Sequence, residues 1–137
     1  MTPLAPDVSN SGASQRSRGF GLAGHLLEIC RGSDAGAVVD FARVPLHPGV
    51  ADLVRAGHAT GASGRNWAGY GADVRIDAPD PDLARTLVTD PQTSGGLLVA
   101  CAPADVDGVL AAFARDGFER AAGIGEIVAG APQVVVR

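Results

Sequence analysis

Apolar residues in this chain fall into two rhythms that alternate along its length. In "GFGLAGHLLEICRG", Leu22, Leu26 and Ile29 share one helical face with Ala23, Leu27 and Cys30 beside it, and Gly32 offers a stop. That spacing predicts a helix over 20–31. A short β-branched and aromatic run in "GAVVDFARV" predicts a strand over 37–42. Past Pro45 and Pro48, Val50, Leu53 and Val54 recur at helical spacing up to Gly57 and predict a short helix. "HATGASGRNWAGYG", residues 58–71, carries neither rhythm and reads as a long loop, a type of segment that is more often functional than accidental.

Strict alternation returns in "DVRID", with Val74 and Ile76 on one face of a half-exposed strand. Asp80 then stands as a helix cap with Pro81 at the first position, and Leu83, Leu87 and Val88 supply the buried face. "GLLVACA" is apolar on both faces and reads as a buried strand, and "PADVDGVLAAFARDG" repeats Val106, Val109, Leu110 and Phe113 at helical spacing before Gly117. "AAGIGEIV" and "PQVVVR" read as two closing strands that form a hairpin through Ala129-Gly130-Ala131-Pro132. Strands alternating with helices imply an α/β or α+β layered domain with helices packed on a mixed sheet. Residues 1–18, rich in Ser, Pro and Gly and without periodicity, read as a disordered or loosely docked arm, with one domain over 19–137.

Composition narrows the partners. The 137 residues are 46% hydrophobic and 19% charged, enough for one ordinary core, and only 4% aromatic, so small side chains fill it. A formal charge of −4 with scattered arginines gives no basic stripe, which disfavours nucleic acid and anionic membranes. No apolar run reaches signal-peptide or membrane length, and two distant cysteines without metal-ligand spacing suit a reducing cytoplasm. Cys30 and Cys101 read as small buried hydrophobes, His25 as a capping or packing histidine, and His47 and His58 as surface residues.

The densest chemistry lies in "TDPQTSGGLLVAC", residues 89–101, read as a solvent-facing loop over 89–96 at a strand entrance. Gly95 and Gly96 allow close approach of a ligand to backbone N–H groups, Thr93 and Ser94 add hydroxyls and Gln92 an amide. Together they form a phosphate-sized cradle. The same residues also serve as a tight turn from a helix into a strand, and composition alone favours the turn. Asn66 and Trp67 are ligand-contact types in the preceding loop, although an aromatic in so aromatic-poor a domain also suits a core plug.

"DPQTSGGLLVA", together with "GFGLAGHLLEI", "LHPGV" and "ASGRNWAGYG" in their order along the chain, resembles the C-terminal part of selenophosphate synthetases, also called selenide, water dikinases. The likeness covers 19–137. It implies the C-terminal fold of the superfamily that includes aminoimidazole ribonucleotide synthetase, with a ferredoxin-like element. It further implies a magnesium-dependent reaction of ATP, selenide and water to selenophosphate, AMP and phosphate, carried out by a homodimer. In that family a nucleotide-binding N-terminal domain holds the reactive Cys or selenocysteine, a catalytic Lys and magnesium-binding aspartates, none of which matches a residue of this chain. The family's Thr-Asp-Val-Thr segment, whose Asp is a metal ligand, corresponds to "QRSR" here, so the ligand position is Arg16, and a cation does not coordinate magnesium. Two readings follow: a C-terminal domain that is catalytically incomplete without a nucleotide-binding half, or a stand-alone remnant that binds a small anion or a protein partner. In either, no metal and no cofactor are expected on the isolated chain, and apolar surface near the first helix favours self-association or a separate nucleotide-binding half.

Overall fold

The computed structural model describes residues 13–16, 19–92 and 95–137, with 13–16 described by backbone only. The chain order is β1 (Ala13–Arg16), α1 (Gly21–Ser33), β2 (Ala35–Val39), α2 (Val50–Arg55), α3 (Gly61–Tyr70), β3 (Val74–Ile76), α4 (Pro81–Thr89), β4 (Leu97–Ala100), α5 (Val106–Arg115), β5 (Gly125–Ala129) and β6 (Val134–Val136). A four-stranded mixed sheet runs β3-β6-β2-β5, and β1 pairs with β4 in a separate antiparallel ribbon. The α/β layered class read from the sequence is the class observed.

The core forms where the apolar face of α1 meets one face of the sheet. Ala23, Leu26, Leu27 and Cys30 of α1 and Ala84 and Val88 of α4 cluster with Ala37, Val39, Val74, Val134 and Val136. Leu27 and Val134 are fully buried. Small residues on β2 let α1 lie close to the sheet, as the low aromatic content suggested. At its far end α1 runs past Gly32, because Asp34 takes the left-handed conformation (φ 49°) and its N–H bonds to Cys30 O.

Several expectations are corrected. The strand expected over 37–42 stops at Val39, because the Asp40 carboxylate accepts from Ala42 N–H and tightens residues 41–43 into a 3-10 turn. The loop expected over 58–71 is largely helix: α3 starts at Thr60, whose side chain accepts from Ser63 N–H. The terminal hairpin does not form. β5 pairs antiparallel with one edge of β2, and β6 lies parallel on the other edge, between β2 and β3. The β5–β6 connection passes close over β2 at Gly36, where a Cβ would lie 3.2 Å from Ala131 O and 3.4 Å from Gln133 O. β4 is less buried than its sequence implied. It belongs to the two-stranded ribbon rather than the core sheet, so Leu97 is 52% exposed. Helix α5 begins only at Val106, after a 3-10 turn over Pro103–Asp105, and its expected apolar face is half-buried.

Residues 13–16, inside the segment read as an arm, form β1, and the remainder of that arm lies outside the described residues. Among the described residues no helix is long and apolar enough to cross a membrane.

Candidate functional site

The sequence places Pro91 immediately after Asp90, and a residue before proline is disfavoured in helical conformation. Asp90 accordingly turns extended (φ −65°, ψ 128°), and among the described residues no backbone N–H caps α4. The last carbonyls of a helix have no partner inside it. Here Asn66 satisfies the Thr89 carbonyl, and the hydroxyls of Ser63 and Thr89 bond beside it. Thr89 Oγ1 donates to Arg85 O at 2.7 Å, Ser63 Oγ lies 3.2 Å from Thr86 O and 2.6 Å from Thr89 Oγ1, and Asn66 Nδ2 donates to Thr89 O at 2.9 Å. Thr89, expected on the solvent-facing loop, is instead the fully buried last residue of α4.

The same Asn66 amide reaches a second segment and donates to Gly19 O at 2.8 Å. An asparagine NH₂ has two hydrogens, so both are committed to main-chain carbonyls. Asn66 therefore braces the backbone from a helix rather than standing in an irregular loop. One turn on, the Tyr70 hydroxyl donates to Phe20 O. Burial pushes the Tyr70 phenol up to about 12, against the opposing pull of the Gly24 backbone. Gly21 completes the junction with φ +72°, where a Cβ would lie 2.7 Å from Thr89 C and 2.8 Å from Val88 O. Only glycine fits that close approach.

Beyond Asp90 runs the loop that carried the cradle reading. Thr60 Oγ1 donates to Asp90 Oδ1 at 3.1 Å and ties the start of α3 to the start of the loop. Gln92 and Gly95 are half-buried and Gly96 is exposed, with open space where its side chain would be; Thr93 and Ser94 lie outside the described residues. The β1–β4 register sets Arg16 opposite Leu97, the residue after Gly96. The loop mouth, the start of α1 and Arg16 thus meet at one end of the domain.

A cleft of about 340 Å³ opens between α3 and α4, lined by Thr60, Ser63, Trp67, Arg85 and Thr89 among others. The Arg85 guanidinium carbon lies 5.5 Å from the Trp67 ring centre, a cation–π arrangement. Trp67 packs part-buried against the core, in keeping with its reading as a plug. His25 is 7% exposed, 3.5 Å from Glu28 and ring to ring with Phe20, a packing histidine. His47 and His58 are exposed, the former 3.4 Å from Arg120. Cys30 is buried, which pushes its thiol up, and Cys101 is half-buried.

The position that the family resemblance gives to a metal-binding Asp is Arg16, and among the described residues no group of three or more His, Cys, Asp or Glu converges. Sequence reading missed Thr60, Ser63 and Tyr70. The available signal was their helical spacing with Asn66, written in polar rather than apolar residues.

Comparison with known proteins adds an independent observation. The family model described as AIR synthase related protein, C-terminal domain, matches residues 19–137. Proteins named selenide, water dikinase are similar over 118 residues, 86% of this chain. The one from Burkholderia pseudomallei (strain K96243) is 60% identical with 33% of its own length covered. The one from Pseudomonas straminea is 52% identical with 33% covered, and that of Rhizobium meliloti (strain 1021) 44% with 34% covered. The chain spans about a third of the length of the curated relatives it matches.

Proposed function

This chain belongs to the family of AIR synthase related protein C-terminal domains, and from that premise we propose that it is the C-terminal domain of a selenide, water dikinase. In this reading it forms one wall of a cleft in which ATP, selenide and water become selenophosphate, AMP and phosphate. The observation that carries the reading is 60% identity to the Burkholderia pseudomallei dikinase over 118 residues, a span that includes α1, α3 and the Asp90–Gly96 loop. Turnover belongs to an assembly. Phosphoryl transfer needs metal ions held by oxygen ligands, and Arg16 offers a positive charge at the position where the resemblance implies an Asp. A nucleotide-binding domain, in the same polypeptide or a separate one, supplies those ligands together with ATP and magnesium, and the assembly is a homodimer. The free thiols of Cys30 and Cys101 suit a reducing cytoplasm.

The test is a chimera in which residues 19–137 replace the matching third of the Burkholderia pseudomallei relative. Selenide-dependent AMP release by the chimera, at a rate within about tenfold of the parent, supports the reading. A folded chimera that binds ATP yet releases no AMP refutes it and favours a non-catalytic, anion-binding or partner-binding role.

A further inference from the structure

Four side chains recur along α3 at helical spacing, and each leaves the helix to grip chain that is distant in sequence. Thr60 holds Asp90, Ser63 holds Thr86 and Thr89, Asn66 holds Gly19 and Thr89 together, and Tyr70 holds Phe20. The helix itself has little intrinsic reason to form. Gly61, Gly64 and Gly69 each cost about 1 kcal/mol relative to alanine, and only Ser63 in it is buried. Its stability therefore comes from tertiary contacts, these bonds together with the packing of Trp67 and Tyr70 against the core.

We infer that Asn66 and Tyr70 are positioning residues that couple the Gly19–Gly21 turn to the Thr89–Asp90 step, so that the start of α1 and the mouth of the glycine-rich loop move as one rigid edge. The inference rests on the functional reading above for its catalytic consequence, and on geometry alone for the coupling. Three separate links join the two segments. Asn66 bridges a carbonyl of each, Gly21 lies directly on the Thr89 peptide, and Tyr70 fixes Phe20 from the same helix face. Pro91 keeps Asp90 out of the helix, so these side-chain bonds act at the end of α4 alongside the packing of α1 on α4. Both segments border the loop that the functional reading places on the cleft. A misplacement of about 1 Å in such a wall costs on the order of 100-fold in rate.

The test uses Tyr70→Phe, which removes one hydroxyl and keeps the ring, and Asn66→Ala. Backbone NMR order parameters are measured on the purified 137-residue chain. The Tyr70 hydroxyl bonds on the α1 side, to Phe20 O, yet in Tyr70→Phe the order parameters of Thr89, Asp90 and Gln92 fall with those of Gly19–Leu22, from about 0.85 toward about 0.6, while β2 and β6 stay rigid. In the chimera, both variants lower kcat for selenide-dependent AMP release about tenfold or more, well below their unfolding midpoints. KM for ATP changes less than about twofold, since the nucleotide is held mainly by the other domain. Loosening confined to Gly19–Leu22, or unchanged kcat in an active chimera, overturns the inference. An inactive parent chimera refutes the functional reading instead, and the order parameters still decide the coupling.

Discussion

The hydroxyl pair beneath the cleft allows a quantitative prediction. Ser63 and Thr89 lie 2.6 Å apart, 6% and 0% exposed. Each hydroxyl has one proton. With Thr89 donating to Arg85 O at 2.7 Å, Ser63 donates to Thr89 Oγ1. Thr89→Val keeps the shape but loses both bonds, and Thr86 O, 3.2 Å from Ser63 Oγ and beyond the usual O–H···O range of about 2.5–3.0 Å, recovers little of the loss. At about 1 kcal/mol net per bond, it destabilises by about 2 kcal/mol. Ser63→Ala loses only the shared bond, about 1 kcal/mol. In the double variant the shared bond is lost once, so the total is about 2 rather than 3 kcal/mol, a coupling of about 1 kcal/mol. Urea unfolding followed by the fluorescence of Trp67, the chain's single tryptophan and a wall of the same cleft, measures all four states. Additivity within about 0.3 kcal/mol would show that the short pair contributes nothing and that α3 is held by something else.

Two further outcomes follow from burial. The chain has one tyrosine, and with its folded phenol raised to about 12 from 10.0, the unfolded state ionises first, so stability is intact below about pH 10 and declines as pH rises from there to about 12. Tyrosinate absorbance in the native chain should therefore appear near pH 12, and a native midpoint near 10 would mean that Tyr70 is not held under α1. Of the two free cysteines, half-buried Cys101 should react with a thiol reagent in the native state and buried Cys30 only on unfolding; equal native rates would contradict the packing of α1 on the sheet.

Elements whose period is written in apolar residues were legible in the sequence. Leu22, Leu26 and Ile29 announce α1, and Asp80-Pro81 with Leu83, Leu87 and Val88 announces α4 almost to the residue. Pairing was not legible, because it is decided between distant segments. β6 passes to the far edge of β2 instead of folding back on β5, and the partner that receives it, β2, lies about a hundred residues upstream. The two apolar faces of β4 suggested a core strand, yet its partner is β1, and the ribbon they form leaves Leu97 exposed.

The candidate site shows the same division at closer range. Asn66 was singled out as a polar residue in a loop, and the structure gives it a different task, because the loop is a helix whose period is polar. The reason lies 25 residues on, at Pro91. Pro91 denies α4 its usual ending, and the carbonyls of Thr86 and Thr89 must then find donors elsewhere. Asn66 answers that need at Thr89 from α3 and takes in Gly19 as well, while Ser63 bonds to the Thr89 hydroxyl beside it. "TDPQ" and "SGRNWAGY" are thus two parts of one device, neither intelligible alone: the first creates unpaired carbonyls and the second supplies the side chains that pair them. A sequence reader who asks of each proline-terminated helix where its last carbonyls go would look for a polar stripe at spacing three and four, and would find α3 where apolar periodicity shows only a loop.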